Sequence, residues 1–223
     1  MFEWRWDFTF EILPRLLWAT LNTLMAAGFG YAIALVVGLL LALAQRTPYR
    51  PMTFVVREAV EFIRSTPLVL QIFFVFYVGP QFGIRLSPWT SGMIAIGLHY
   101  AAYLSEVYRA GLDSVPKGQW EACKAINLST RRTYFRVIIP QALPPALPGM
   151  GNYLVGIFKD TPMLSVIGVA ELMHTANALG SETYRFLEPY TLVGIIFLAI
   201  SLPTAAGLRA FEAWVRRSLG MTK

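Results

Sequence analysis

The sequence predicts an all-α integral membrane protein of about five transmembrane helices, with its N-terminus outside and its C-terminus in the cytoplasm. Three observations carry that expectation. The composition is 56% hydrophobic and 14% charged, where soluble domains carry roughly a quarter charged residues, and mean hydropathy is +0.52. Apolar runs recur along the whole chain, separated by short polar and basic inserts. With the N-terminus outside, 14 of the 19 Lys and Arg fall on the cytoplasmic side and 5 outside, the bias that cytoplasmic loops carry. In so apolar a chain the net charge of +6 points to a membrane before it points to nucleic acid.

Residues 1–15 alternate aromatic and charged side chains, with Phe2, Trp4, Trp6, Phe8 and Phe10 spaced by two. They lack the basic start, short apolar core and small-residue cleavage site of a secretory signal. They read as an interfacial segment leading into an uncleaved first span, Leu16 to Ala44, whose Thr20, Asn22, Thr23, Gly28, Gly30 and Gly38 suit helix–helix packing. For the second span, purely apolar sequence covers only Pro67 to Val78, too short to cross alone. Its helix is therefore expected to start near Met52, with Arg57, Glu58, Glu61 and Arg64 on cytoplasmic turns and Glu61 paired with Arg64. The third span, Trp89 to Leu112, places His99 near its middle, and Glu106 and Arg109 one turn apart as a second structural ion pair. His99 and Tyr100 fit either a substrate path or plain packing.

The basic stretch 114–140 reads as two short helices around a turn. Ser114 caps the first, Pro116 opens it, and Trp120, Cys123 and Ile126 give it one apolar face. Asn127 suits the left-handed residue past its end, and Ser129 caps a second helix through Arg131, Arg132 and Arg136 that stops near Pro140. Cys123 is the single cysteine, which excludes an internal disulfide; it reads as a small packing residue. A knob of this kind, carried between membrane helices, is suited to docking into a partner.

The fourth span runs from Gln141 to about Phe158, distorted by Pro144, Pro145 and Pro148, with Gly149, Gly151 and Gly156 admitting close neighbours. Broken transporter helices are where polar backbone meets solute, so Asn152, Lys159, Asp160, Thr161 and Ser165 join His99 and Tyr100 as substrate-path candidates. The neighbours Lys159 and Asp160 suit the two charges of a zwitterion, or equally a solvated interfacial turn. Met163 to Met173 is too short to span and reads as a re-entrant or gate-like segment. His174 and Glu171 are assigned to an outer loop and are too sparse for a metal site. Tyr190 to Leu208 supplies the fifth span, kinked at Pro203, and 209–223 an amphipathic basic tail. The whole, 1–223, is read as one transmembrane domain.

Several of these stretches resemble the ABC importer permeases of the polar amino acid uptake family, the histidine, glutamine and arginine type. Glu121-Ala122-Cys123, Asn127 and Val137-Ile138-Ile139-Pro140 resemble the family's coupling motif, which begins Glu-Ala-Ala, continues to a Gly and ends in Ile-x-Leu-Pro. Cys123 stands for the second Ala and Asn127 for the Gly; Cys is small and Asn tolerates positive φ. Arg64-Ser65-Thr66-Pro67-Leu68, Glu106 to Gly111, and Lys159-Asp160-Thr161-Pro162 through Ile167 resemble further family runs. The resemblance implies the fold of a type I ABC importer permease core in the bacterial inner membrane. It implies two cytoplasmic ABC ATPase subunits gripping the coupling region, for which Gly118, Glu121, Ala122, Cys123, Asn127, Arg131 and Pro140 are the matching residues. It also implies a second permease subunit, identical or related, and an extracytoplasmic solute-binding protein. Within the family, Leu98-His99-Tyr100, Gly118-Gln119-Trp120-Glu121-Ala122, Asn127 and Phe158-Lys159-Asp160-Thr161-Pro162 resemble the ectoine/hydroxyectoine permeases.

No G-x-x-x-x-G-K-[ST] loop, H-E-x-x-H pair, nucleophile elbow or cysteine cluster occurs, so no catalytic residue, cofactor or metal ligand is assigned. ATP and Mg are expected on the partner ATPase subunits. A self-sufficient secondary transporter or channel would call for internal repeats and mid-membrane ion-coupling groups, which the sequence does not display. A DNA-binding helix–turn–helix in 114–140 would lack room for its supporting helices.

Overall fold

The first helix, α1 (Trp6–Ala44), already starts inside the aromatic N-terminal segment. Residues two apart on a helix lie about 200° apart around its axis. The aromatic alternation therefore winds around α1: Phe8 is buried, whereas Trp6 and Phe10 are 65% and 66% exposed. At about 1.5 Å per residue α1 is about 58 Å long, well beyond a hydrocarbon core of about 30 Å, so its ends overhang the membrane. The computed structural model describes residues 3–218, and no strand occurs among them. Met1 and Phe2 of the interfacial segment and residues 219–223 of the basic tail lie outside the described residues, as does the side chain of Arg216.

The second span is not one straight helix. Thr66 and Pro67 break it, and α2 (Arg50–Ser65) and the segment Leu68–Phe82 meet at 108°. Pro67 has no N–H and disfavours helix in the residue before it, and Thr66 takes an extended conformation. Beyond the break, α3 (Leu68–Phe73) passes into a π turn over Phe74–Val78 and a 3₁₀ turn over Gly79–Phe82.

α4 (Pro88–Asp113), capped by Ser87 through the Thr90 N–H at 3.2 Å, is the central helix. Small or polar residues, among them Ser91, Gly92, Ala95, Gly97, Ala101 and Ser105, are buried along it. Protein rather than lipid surrounds these positions, so the helix spans without a continuous apolar surface. The close seam with α1 depends on Gly38: a Cβ there would sit 2.9 Å from the Ala101 carbonyl oxygen and 3.0 Å from Leu104 Cβ. Because a backbone group is in the way, Gly38→Ala is expected to destabilise the bundle by about 1–3 kcal/mol, the usual cost of overpacking. A thermal melt of the purified chain in detergent checks this.

The short α5 (Lys117–Ala125) follows α4, and α6 (Thr130–Arg132) then begins a continuous helical course. This passes through a π turn at Thr133–Ile138 into α7 (Ile139–Asp160). The expected stop near Pro140 is absent: the π turn over Thr133–Ile138 lies directly before it and already interrupts the regular helical hydrogen-bond ladder, so a residue without an N–H is tolerated there. Pro144, Pro145 and Pro148 also lie inside α7 without ending it. The course changes only after Asp160, in a 3₁₀ turn over Thr161–Ile167 closed by left-handed Gly168; α8 (Leu172–Thr183) departs at 47°.

His174 is thus helical rather than in a loop, and Glu171 is the N-cap of α8, accepting from the N–H groups of Met173 (2.8 Å) and His174 (2.6 Å). Thr23 and Asn22 tie this turn to α1, Thr23 accepting from Leu172 N–H at 3.0 Å and Asn22 donating to the Ala170 carbonyl at 2.7 Å. α9 (Leu187–Ser218) continues helically through Pro203 and the first part of the tail.

Among the described residues, α1 and Leu187–Val215 are each long and apolar enough to cross a membrane, and two bent pairs, 50–82 and 130–183, bring the number to four. The shielded α4 makes the fifth. One core joins Ile96 and Leu104 of α4 with Ala26, Ile72, Ile157 and Leu164; another packs Ile12 and Leu16 against Leu172, Leu179 and Val193. At the outer end Glu188, 1% exposed, accepts from Arg5 N–H at 3.2 Å and pairs with Arg185.

Candidate functional site

Two groups of candidate residues emerge, one at each level of the bundle. At the cytoplasmic end, α5 is held by its inner side. Cys123 is buried; the Trp120 ring meets Tyr134 edge-on at 5.4 Å and lies under the Arg46 guanidinium at 5.7 Å. Leu112, Val115, Ile138 and Ala142 form the small core beneath it. Ser114 does not cap this helix; it ends α4, and its hydroxyl donates to the Gly111 carbonyl at 2.7 Å. Asn127 takes φ 54°, the left-handed conformation its amide side chain tolerates, and turns the chain from α5 to α6. Ser129 occupies the N-cap position of α6 without a capping side-chain hydrogen bond.

The outer side of α5 is left free. Gly118, Glu121, Ala122 and Asn127 are exposed, and Ile126, expected on the inner face, is 72% exposed. Ile126 is the C-cap residue, where the helix has unwound to φ −89° and ψ 11°, so helical spacing no longer decides where it points. A Cβ on Gly118 would meet nothing within 4 Å, so the fold of this chain places no steric demand for glycine there. Arg131 is exposed beside this surface, whereas Pro140 lies at the base of α7. Glu106 and Arg109 lie 2.6 Å apart, Arg109 also meets Asp113 at 3.2 Å, and Asp113 meets Arg46 of α1 at 2.5 Å. This network joins the ends of α1 and α4 just before the knob.

Deeper in the bundle, the break at Thr66–Pro67 uncovers backbone carbonyls that side chains from α3 and α4 recover. Gln71 Nε2 donates to the carbonyls of Ile63 (2.8 Å) and Thr66 (3.2 Å), and its Oε1 accepts from His99 Nδ1–H at 3.1 Å. Tyr103 donates to the Arg64 carbonyl at 3.1 Å, and the Arg64 guanidinium lies 5.5 Å from the Tyr103 ring. Tyr100 donates to Asp160 at 2.6 Å. The rings of Tyr100, Tyr103 and Tyr153 stand 5.5 to 6.2 Å from one another, with His99 5.1 Å from Tyr103. A Cβ on Gly156 would lie 2.9 Å from the Tyr100 hydroxyl, so glycine there lets the tyrosine reach Asp160.

The structure therefore brings together His99, Tyr100 and Asp160 of the sequence-derived candidates, and separates the others. Lys159 is exposed on another face of α7, one residue being about 100° around the helix. Asn152 is exposed at a different cavity of about 330 Å³, beside Leu147, Pro148 and Arg209. The hydroxyls of Thr161 and Ser165 return to the carbonyls of Phe158 (2.8 Å) and Pro162 (2.7 Å), closing the turn after α7. Arg64 meets Glu61 at 3.3 Å, but its buried Nε has no partner among the described residues, so it also belongs to the aromatic cluster. Gln71, Tyr103 and Tyr153 are additions that sequence reasoning did not assign to the site. Gln71 was detectable as the lone polar side chain in an apolar run; Tyr153 carried no signal.

Chemically, the cluster carries π faces and a carboxylate of the kind that suits a cation, and a guanidinium of the kind that suits an anion.

Residues 11–217 match the model of the family described as binding-protein-dependent transport system inner membrane component. A probable amino-acid ABC transporter permease, y4tG of Sinorhizobium fredii, is 39% identical over 95% of this chain and 95% of its own. The L-cystine transport system permease TcyB of Bacillus subtilis is 37% identical over 87% of this chain and 84% of its own. A crystal structure of an amino acid ABC transporter with histidines superposes with a TM-score of 0.88 at 30% identity, covering 95% of this chain and 99% of that one. The methionine ABC transporter MetNI, inward facing, shares the fold at a TM-score of 0.72 and 16% identity, over 95% and 99% of the two chains.

Proposed function

The chain belongs to the family of binding-protein-dependent transport system inner membrane components, and from that premise we propose that it is the permease of an ATP-driven importer of ectoine or hydroxyectoine. It is a multi-pass inner-membrane permease of the amino-acid ABC type, with the type I fold. The ectoine assignment rests chiefly on the cluster of Tyr100, Tyr103 and Tyr153 with Arg64 and Asp160. Ectoine carries a delocalised amidinium beside a carboxylate. Aromatic faces favour such a diffuse cation, and the partly exposed Arg64 side chain brings a guanidinium for the carboxylate. The stretches around His99 and Asp160 that resemble ectoine permeases are the same ones that build this cluster.

Two ATPase subunits, carrying ATP and Mg, then grip the exposed side of α5 at Gly118, Glu121, Ala122 and Asn127. A second permease subunit, identical or related, completes the translocation path, and an extracytoplasmic binding protein delivers the solute. On ATP binding the ATPases close, and the docked α5 helices tilt the spans from inward- to outward-facing.

The test is purification of the tagged chain from its own membranes, with mass identification of what accompanies it. An ATPase subunit and a solute-binding protein are expected, and titration calorimetry of that binding protein should show ectoine binding at least about tenfold, or about 1.4 kcal/mol, more tightly than glutamine or arginine. Preference for an ordinary amino acid removes the ectoine assignment and leaves the permease role. Solute flux in vesicles by the chain alone, without ATP, favours a secondary transporter instead.

A further inference from the structure

We infer that the chain seats one anionic phospholipid of the cytoplasmic leaflet, in a groove between the end of α1 and the helix that rises from the coupling knob. The groove has a volume of about 670 Å³ and is open to one side, and its lining is overwhelmingly apolar, with Thr130, Arg131 and Tyr134 among the residues that line it. Leu39 and Leu43 of α1 form one wall, and Ile139, Leu143 and Met150 of α7 the other. From Ile139 to Met150, at about 1.5 Å per residue, the wall runs about 16 Å, the depth of one leaflet of a hydrocarbon core of about 30 Å.

Thr130, Arg131 and Tyr134 line the mouth. Their side-chain hydroxyls and guanidinium have no hydrogen-bond or ion-pair partner among the described residues, although the Tyr134 ring leans on Trp120. Arg132 and Arg136 add positive charge nearby, and the nearby acids Glu106 and Asp113 are engaged by Arg109 and Arg46. Two hydroxyls and a guanidinium suit the oxygens of a phosphate diester, which a basic pocket at the cytoplasmic border favours. The apolar walls decide between occupants: a soluble ATPase docked on the polar knob leaves them uncovered, and so does a free phosphate. An acyl chain below an anionic head satisfies both parts.

The inference is independent of which solute is carried, and its test does not read transport. The purified chain in detergent is titrated with phosphatidylglycerol and, separately, with phosphatidylcholine of the same acyl chains, and bound lipid is counted by native mass spectrometry. One phosphatidylglycerol per chain is expected, preferred over phosphatidylcholine by at least about tenfold. Arg131→Glu, at an exposed position, should abolish the preference, Arg131→Lys should keep part of it, and Leu143→Trp should reduce binding of both lipids by filling the groove. Equal retention of the two lipids, or a preference that survives Arg131→Glu, overturns the assignment. So does a Leu143→Cys cross-link between two copies in native vesicles, which would mean that a second chain covers the groove.

Discussion

Glu121→Lys is expected to abolish ATP-driven uptake, by a factor of about 100 or more, while the chain stays folded in the membrane. Glu121 is exposed on the outer side of α5, and its carboxylate has no partner among the described residues. The helix is held from the other side, by buried Cys123 and by Trp120 against Tyr134. Reversing the charge therefore removes nothing that the fold uses. At a docking surface built for an acid, a like-charge juxtaposition costs several kcal/mol, and each 1.4 kcal/mol is tenfold. Uptake into vesicles, co-purification of the ATPase and the melting temperature of the isolated variant together check it. Loss of uptake and of ATPase with an unshifted melt supports coupling through α5. Unchanged uptake removes Glu121 from that role.

Asp160→Ala should lower transport about 10- to 100-fold while ATPase co-purification stays intact. Asp160 accepts the Tyr100 hydroxyl at 2.6 Å, and Tyr100 is 6% exposed within the aromatic cluster. Removing the acceptor leaves a largely buried hydroxyl unpaired, at a cost of about 1–3 kcal/mol, and takes one negative charge from the cluster. Asp160→Asn separates the two effects, since it keeps an acceptor but not the charge. If the charge meets the solute's cation, Asn is as damaging as Ala for solute affinity; if Asp160 only positions Tyr100, Asn restores most of the activity. A solute affinity unaltered by either change assigns Asp160 to the turn alone.

How much of this was legible beforehand differs from element to element. The left-handed turn at Asn127 followed from the residue itself, because its short amide tolerates φ 54°. The Glu106–Arg109 contact followed from one helical turn of spacing. The break at Thr66–Pro67 departs from the single long helix that the shortness of the apolar run implies, because the residue before proline disfavours helix and Thr66 is extended. Proline misled in the opposite direction at Pro140, where the π turn directly before it lets the helix run on.

By itself the sequence determined an all-helical membrane chain with a basic knob between its apolar segments. Composition, loop charge and local backbone preference are properties of neighbouring residues, and the bilayer enforces them one segment at a time. Only the tertiary structure decided that Tyr100 meets Asp160, that Tyr153 and Arg64 flank Tyr103, and that Lys159 turns away from its neighbour. Those contacts join residues 39 to 60 positions apart in the hydrogen bonds concerned. They depend on the 108° break and on how closely helices approach at Gly38 and Gly156, where a single Cβ sets the spacing. Periodicity within one helix carries no record of which helix will lie beside it.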